Sequence, residues 1–184
     1  MPQEKSENFF TELLKFIFVA ALIVVPLRLF VAQPFIVSGA SMDPTFQNGQ
    51  YLIVDELTYQ LGAPSRGDVI IFRYPKDQTQ FFIKRIIGLP GETVRIDNNK
   101  VEVTRVDGST VTLTESYVVN LGNGSNATYP LGTDEYFVMG DNRPESSDSR
   151  SWGVLPRKNI VGRAFIRLLP VHTISILPGS TKTQ

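Results

Sequence analysis

Hydrophobic positions divide the chain into two unlike parts. Residues 13–32 read LLKFIFVAALIVVPLRLFVA, and only Lys15, Pro26 and Arg28 interrupt this apolar run. A helix of about 20 residues is about 30 Å long, which matches the hydrocarbon core of a bilayer. The pattern therefore predicts a transmembrane anchor over residues 13–32, preceded by an N-terminal tail over residues 1–12.

Two other interpretations of this apolar run stay open, namely a cleaved signal peptide and a buried core helix. The stretch without a charged residue, residues 16–27, is short enough for either. However, the RLFVAQP that follows is a poor cleavage site, and one modest domain can hardly cover a helix that is apolar on every face. Because Lys5 and Lys15 precede most of the run and only Arg28 follows it closely, the positive-inside rule favours a cytoplasmic N-terminus.

Residues 33–184 show short apolar runs separated by Gly, Pro, Asn and Asp, which is typical of a strand-rich domain. The runs that we interpret as strands are 35–37, 51–55, 68–73, 81–88, 93–96, 136–139 and 162–168. We therefore expect a mostly β fold, an antiparallel β domain whose sheet closes on itself or on a second sheet so that its apolar faces are covered.

Residues 97–135 are predicted to form a hairpin-bearing insertion in this domain. The turn sequences Asp-Asn-Asn-Lys and Asp-Gly frame two strand-like segments, 101–106 and 110–115. A polar loop, residues 121–128, completes the predicted insertion.

Composition narrows the classes of function. Of the 184 residues, 42% are hydrophobic and 20% are charged, as in a folded globular protein. Lys and Arg (18) balance Asp and Glu (18) without a basic run, so nucleic acid is not an expected partner. The absence of Cys excludes disulfides, thiolate zinc sites and a Cys nucleophile, and His172 alone cannot make a multi-histidine metal site.

A first candidate for chemistry is SGASMDPT, residues 38–45, a turn of small residues in which Ser41 can be exposed. Gly39 and Pro44 shape the backbone, so N–H groups near Ser41 can face a developing oxyanion. Ser, Gly, Asp and Pro also occur in any turn, and an ordinary turn is the alternative.

A second candidate is FFIKRII, residues 81–87, where Lys84 is bracketed by aromatic and branched residues. Strand alternation places Lys84 on one face with Phe82 and Ile86. Burial can lower a lysine pKa by about 3 to 5 units, and a neutral amine at physiological pH is a general base. The alternative is an edge-strand lysine that opposes aggregation.

A third candidate is the dense polar loop of residues 139–153, which follows an apolar strand. Acidic and basic side chains alternate along it, and Ser146 can hydrogen-bond a neighbouring amine. A solvated loop and a calcium loop are the alternatives, although the EF-hand ligand spacing is missing. A Ser-His-Asp triad would need His172, which nothing else singles out, so a serine paired with a lysine is the favoured chemistry.

Four segments, in this order, resemble the signature boxes of type I signal peptidases, the leader peptidases that use a Ser-Lys dyad: GASMDPT, RGDVIIF, FIKRIIGLPG and GDNRPESSDSRSWG. The resemblance extends from about residue 14 to residue 168, apart from the insertion at 97–135, which is variable in such proteins. It implies that residues 33–184 form a catalytic β domain of the signal-peptidase type.

The resemblance also implies an activity that requires no metal and no cofactor. It predicts a membrane-anchored serine endopeptidase that removes N-terminal signal peptides from exported preproteins after small residues (Ala-x-Ala) through an acyl-enzyme. Ser41 would be the nucleophile, Lys84 its general base, and Ser146 would orient the Lys84 amine. The implied supporting residues are Met42, Arg85, Asp141, Asp148 and Arg150. The implied walls of the substrate pocket are Phe35, Val37, Phe46, Phe82 and Ile83.

The expected partners are the signal peptides of preproteins and the lipid bilayer. The chain would cross the plasma membrane once, with its catalytic domain on the extracytoplasmic side. Some family members carry a serine two residues before the nucleophile, where this chain has Gly39, so the oxyanion is expected to rest mainly on the Ser41 backbone N–H. A dedicated single-substrate peptidase and an inactive, membrane-tethered signal-peptide-binding module are the alternatives.

Overall fold

The structure is a computed structural model that describes residues 9–30, 32–124 and 126–181. The described strands are β1 (Ala32–Ile36), β2 (Tyr51–Asp55), β3 (Val69–Tyr74), β4 (Asp77–Gly88), β5 (Thr93–Asp97), β6 (Lys100–Thr104), β7 (Thr110–Thr112), β8 (Ala127–Pro130), β9 (Glu135–Met139), β10 (Leu155–Pro156), β11 (Ile160–Leu169) and β12 (Ser175–Ile176). The helices are α1 (Phe9–Phe30), α2 (Leu57–Leu61) and α3 (Ser149–Trp152), and short 3-10 helices cover Arg157–Asn159 and Val171–Thr173.

The strands form two antiparallel sheets. The larger sheet has eight strands in the order β1-β2-β11-β3-β4-β9-β10, with β12 paired to β11. The smaller sheet has four strands in the order β7-β6-β5-β8. Neighbouring strands are antiparallel in both sheets, which confirms the predicted mostly β, antiparallel fold.

Helix α1 covers most of the segment that the sequence predicts as a membrane anchor. Phe16 and Phe18 are exposed on it. Over the described residues, no helix combines the length and the apolar character needed to cross a bilayer. The predicted span at 13–32 is therefore not confirmed. Val31 and residues 1–8 of the predicted tail lie outside the described residues.

The larger sheet is buried on both faces around β3. Val69 and Ile71 point into one cluster, which also contains Phe46, whereas Ile70 and Phe72 point into another. Because successive strand residues face opposite sides of a sheet, the continuous apolar run of β3 is what a strand covered on both faces requires.

The smaller sheet is built by β5 and the insertion. Asn98 and Asn99, with φ of 45° and 70°, form the two-residue turn between β5 and β6, as Asn residues tolerate the left-handed region. Ile96 and Val103 are buried in a core shared with Phe137 of β9. This shared core fixes the insertion to the larger sheet.

Some predicted boundaries were wrong. The loop predicted at 121–128 contains the start of β8, which pairs with β5 although its sequence is polar; Ser125 lies outside the described residues. Val37 lies beyond the end of β1, although its N–H still donates to the main-chain oxygen of Gln50, the residue before β2. Strand β4 begins at Asp77, earlier than predicted, since it forms a hairpin with β3.

Strand β4 has a half-open edge that positions the site. One edge of β4 pairs with β3 from Asp77 to Arg85, but on the other edge β9 pairs with it only from Arg85 to Gly88. The free edge of β1 lies across from the open half of β4, where the rings of Phe35 and Phe81 are 5.3 Å apart. The two open edges therefore face one groove.

Candidate active site

The turn after β1 presents Ser41 at the end of this groove. Gly39 adopts a φ of +92° and donates its N–H to Asn48 Oδ1 at 3.0 Å, a conformation that favours glycine. The next side chain, Met42, is 1% exposed and packs in the core beneath. A buried Met42 and a left-handed Gly39 leave Ser41 half-buried at the rim, as the sequence predicts for an accessible serine.

Lys84 reaches Ser41 from the neighbouring strand β4. Its Nζ donates to Ser41 Oγ at 2.7 Å and to the main-chain oxygen of Ile83 at 2.9 Å. The amine also lies 5.3 Å from the centre of the Phe82 ring. Two residues separated by 43 positions in sequence are thus joined by a hydrogen bond.

Burial controls the charge of this lysine. Lys84 is 4% exposed, and desolvation lowers its pKa from 10.5 to about 8, although the charges of Asp148 and Asp141 act in the opposite direction. A substantial fraction of the amine is therefore neutral at pH 8. A neutral amine at this distance can accept the Ser41 hydroxyl proton.

Arg85 and Asp141 form a buried ion pair beside the Ser-Lys pair. Arg85 Nε donates to Asp141 Oδ1 at 2.8 Å and Nη2 to Oδ2 at 2.6 Å, and neither side chain is exposed. Arg85 Nη1 also donates to the main-chain oxygens of Gly67 and Gly179, while the Thr45 hydroxyl donates to Asp141. Two of the residues that the resemblance implies as supporting are thus paired with each other, and every polar edge of the guanidinium is used.

Asp148 ties the polar loop of residues 139–153 back to Gly140, directly after the end of β9. Its Oδ2 accepts the Gly140 N–H at 3.0 Å, and its Oδ1 accepts Arg150 Nε at 2.8 Å. Asp148 also caps the N-terminus of α3 through the Arg150 N–H. Asp148 and Arg150 therefore fix the shape of the loop that carries Asp141.

The predicted hydrogen bond from Ser146 to the Lys84 amine is absent. Ser146 Oγ is buried and has no hydrogen-bond partner among the described residues. The hydroxyl instead lies against the main chain: a side chain at Gly140 would overlap both Ser146 Oγ and the Ser41 carbonyl oxygen. Glycine at 140 is therefore what lets the loop approach the Ser41 turn so closely.

A cleft of about 280 Å³ lies beside the Ser-Lys pair between β1 and β4. Four of the predicted wall residues line it, namely Phe35, Val37, Phe82 and Ile83. The prediction for Phe46 was wrong: this ring is fully buried, because the Phe46 N–H bonds back to the Met42 oxygen and turns the side chain into the core.

Sequence reasoning missed part of the lining of this cleft. The additional lining residues include Ile36, Phe81, Glu145 and Ser147. Phe81 directly precedes the predicted pocket residues Phe82 and Ile83 on the same strand, so the sequence could have indicated it as a lining residue. Glu145 and Ser147 lie in a loop whose path across the cleft has no sequence signal.

His172 takes no part in this arrangement. It is exposed, in the 3-10 helix Val171–Thr173, and does not line the cleft. Within the described part of the chain, no group of three or more His, Cys, Asp or Glu side chains is placed to hold a metal ion.

Comparisons with known proteins match most of the chain. The family model described as "Signal peptidase, peptidase S26" matches residues 10–169. A probable signal peptidase I-2 from Synechocystis is 36% identical over 97% of this chain and 82% of its own. A signal peptidase I from Bacillus licheniformis is 32% identical over 95% of this chain and 98% of its own.

A solved signal peptidase I from Enterococcus faecalis is 32% identical, with a TM-score of 0.47 over 55% of this chain and 97% of its own. The family match alone spans well over half of the residues, and the relatives are matched over most of their length. The chain therefore belongs to the signal peptidase family, peptidase S26.

Proposed function

We propose that this serine endopeptidase removes N-terminal signal peptides from exported preproteins, with Ser41 as nucleophile and Lys84 as general base. The observation that carries the proposal is the 2.7 Å hydrogen bond between Lys84 Nζ and Ser41 Oγ at the end of an apolar cleft. Lys84 is buried enough to be partly neutral near pH 8, and a general base works best when its pKa lies near the working pH.

The proposed reaction has two stages. Neutral Lys84 Nζ takes the Ser41 hydroxyl proton as Oγ attacks the carbonyl carbon of the scissile peptide bond. The protonated amine then gives this proton to the leaving nitrogen, the C–N bond breaks, and an acyl ester on Ser41 remains. In the second stage Lys84 deprotonates a water molecule, which attacks the ester carbonyl. The bond between this carbon and Ser41 Oγ then breaks, the carboxylic acid product leaves, and protonated Lys84 returns its proton to Oγ.

The oxyanion of each stage is proposed to rest on the backbone N–H of Ser41. The turn that holds it is fixed by Gly39 and by the Asn142 N–H, which donates to the Ser41 carbonyl oxygen at 3.0 Å. Fixed N–H donors stabilise developing charge without reorganising during the reaction.

The remaining polar residues are proposed to support the dyad. The charges of Arg85 and Asp141 neutralise each other, and the pair of Asp148 with Arg150 shapes the loop that carries Asp141. In the same proposal, Met42 anchors the Ser41 turn in the core. A role for Ser146 in orienting the amine would require its hydroxyl to turn toward Lys84 when substrate binds.

The open edges of β1 and β4 support an extended peptide as substrate. A peptide laid between them gains main-chain hydrogen bonds, and alternate side chains enter the cleft. Phe35, Val37 and Ile83 make the cleft apolar and small, which suits Ala at the first and third positions before the cut and excludes large side chains.

We propose in addition that α1 attaches the protein to a lipid bilayer. The exposed apolar side chains of this helix support the attachment. We further propose that the chain crosses the plasma membrane once and that its catalytic domain lies on the extracytoplasmic side. This topology rests on the sequence and on the resemblance. Attachment would raise the concentration of the site near membrane-held signal segments.

Cleavage of a purified precursor with an Ala-x-Ala site tests the proposed function. We expect the full-length protein in detergent to cut directly after the second Ala, as read by mass spectrometry of the new N-terminus, and Ser41→Ala to be inactive. A precursor with Leu at the last position before the cut should be cleaved at least about 10-fold more slowly. Binding of the precursor without cleavage would instead favour an inactive binding module.

The pH profile gives a second test of the proposed base. Since Lys84 must lose its proton to act, kcat/KM for the precursor should rise with pH, with a midpoint near pH 8. Below that pH the rate should fall about 10-fold per unit, because the neutral fraction falls in that proportion. A flat profile between pH 6 and pH 9 would exclude Lys84 as the titrating base.

A further inference from the structure

Residues 113–120 of the insertion, here the 113–120 segment, lie against the polar loop of residues 139–153, here the catalytic loop. Leu113 anchors the segment in the core of the smaller sheet, and its N–H donates to the Val101 oxygen at 2.9 Å. At its other end, the Asn120 oxygen accepts the Arg143 N–H at 3.3 Å, and Asn120 forms a parallel bridge with Asn142. The insertion thus makes main-chain contact with the loop that carries Asp141.

Tyr117 covers the buried ion pair. The Arg85 guanidinium carbon lies 3.9 Å from the centre of the Tyr117 ring. The in-plane edges of this guanidinium are occupied by Asp141 and by main-chain oxygens, so the ring covers one of its flat faces. Guanidinium faces are weakly hydrated and stack well on aromatic rings, so this cover excludes water at little cost.

Glu115 holds Tyr117 and the catalytic loop together. Glu115 Oε1 accepts the Tyr117 hydroxyl at 2.9 Å and Arg143 Nη2 at 2.6 Å. The Arg143 and Glu115 side chains are 3% and 8% exposed, so this pair is shielded from solvent. Arg143 Nε also donates to the Gly140 oxygen at 3.1 Å.

These contacts lead directly to Ser41. Asn142, which lies between Asp141 and Arg143, donates its N–H to the Ser41 oxygen at 3.0 Å and its Nδ2 to the Ala40 oxygen at 3.1 Å. On one side of Asn142, Asp141 pairs with Arg85, which Tyr117 covers. On the other side, Arg143 pairs with Glu115 of the 113–120 segment. Asn142 in turn fixes the main chain of Ser41.

We propose that Tyr117 and Glu115 are positioning residues for the reaction: they fix Arg85 and Arg143, and through Asn142 they set the place of Ser41 opposite Lys84. This inference rests on the proposed Ser41–Lys84 function. It gives the insertion a catalytic purpose that neither its sequence nor its position as a hairpin suggests. Neither residue lines the cleft, so substrate binding is independent of them.

Tyr117→Leu tests the proposal, with Tyr117→Phe as the conservative variant. Displacing a reacting group by about 1 Å can cost about 100-fold in rate, so we expect a loss of at least about 10-fold in kcat for Tyr117→Leu, with KM within about twofold of the wild type. Tyr117→Phe keeps the stacked ring, so this variant should keep most of the wild-type kcat. Both are measured on the full-length protein with the Ala-x-Ala precursor, well below the unfolding temperature.

Val103→Ala separates positioning from general loss of stability. Val103 is fully buried in the core of the smaller sheet, and it takes no part in the hydrogen bonds and ring contact that link the 113–120 segment to Ser41. The Val103→Ala substitution should lower the unfolding temperature but leave kcat near the wild-type value. An equal loss of kcat in Val103→Ala, or a normal kcat in folded Tyr117→Leu, would overturn the proposal. Failure of the wild type to cleave the precursor would instead refute the proposed function.

Discussion

Replacing Lys84 by Met is expected to abolish cleavage while making the domain more stable. Removing a member of a nucleophile–base unit costs about 10⁴-fold or more in kcat, because the hydroxyl is left without a proton acceptor. The structure adds a second effect. The wild-type protein buries an amine whose pKa falls from 10.5 to about 8, so at neutral pH folding must overcome the cost of burying its charged form.

The sign of this stability effect is fixed by the direction of the shift. The unfolded chain binds the Lys84 proton up to pH 10.5, whereas the folded chain loses it near pH 8, so wild-type stability should rise between these pH values. At pH 7 the penalty is on the order of 3 kcal/mol, and after the loss of the Ser41 hydrogen bond we expect Lys84→Met to gain about 2 kcal/mol.

Urea unfolding at pH 7 and pH 10 measures this gain. The advantage of Lys84→Met over the wild type should be large at pH 7 and small at pH 10. Lys76→Met is the matched control, since Lys76 is exposed in the turn before β4 and should change stability by less than about 0.5 kcal/mol. Activity in Lys84→Met, or equal stability at both pH values, would contradict the assignment of a buried, partly neutral lysine.

Replacing Asp141 by Ala is expected to destabilise the domain by about 3 to 5 kcal/mol, because it leaves the Arg85 guanidinium buried without its counter-charge. The control is Asp97→Ala. Asp97 pairs with Arg95 at 3.1 Å, but these side chains are 52% and 59% exposed, so its loss should cost less than about 1 kcal/mol.

Denaturant midpoints for the two Asp variants give the comparison. Replacing both Arg85 and Asp141 by Leu should recover part of the stability, because no buried charge is then left unpaired. A cost below about 1 kcal/mol for Asp141→Ala would show that the pair is hydrated in solution and would contradict a buried ion pair beside Ser41 and Lys84.

The sequence predicted those parts of the fold that local pattern controls. Strands β2 and β3 were found because apolar runs between turn residues are sufficient for buried strands, and Lys84 was noticed because a charge among Phe and Ile is unusual. Strand β8 was missed because its polar residues are ordered by pairing with β5, which lies far away in sequence.

The site was less predictable at the level of single side chains. Phe46 lies close to Ser41 in sequence, but a main-chain hydrogen bond to Met42 turns its ring into the core, and no local pattern shows that direction. The same holds for Ser146, whose hydroxyl faces the Gly140 main chain instead of Lys84. Resemblance indicates which residues matter, whereas side-chain direction depends on tertiary packing.

The hydrogen bond from Arg85 to the Gly179 oxygen affects the order in which the contacts of the site can form while the chain is synthesised. Gly179 follows Arg85 by 94 residues, so a ribosome completes Ser41, Lys84 and Arg85 long before it makes this acceptor. Until Gly179 has left the ribosome, the guanidinium lacks one of its partners and the pair with Asp141 is open on that side. The buried ion pair of Arg85 with Asp141 therefore acquires its full set of hydrogen-bond partners only well after the segments that carry Ser41 and Lys84 have been synthesised.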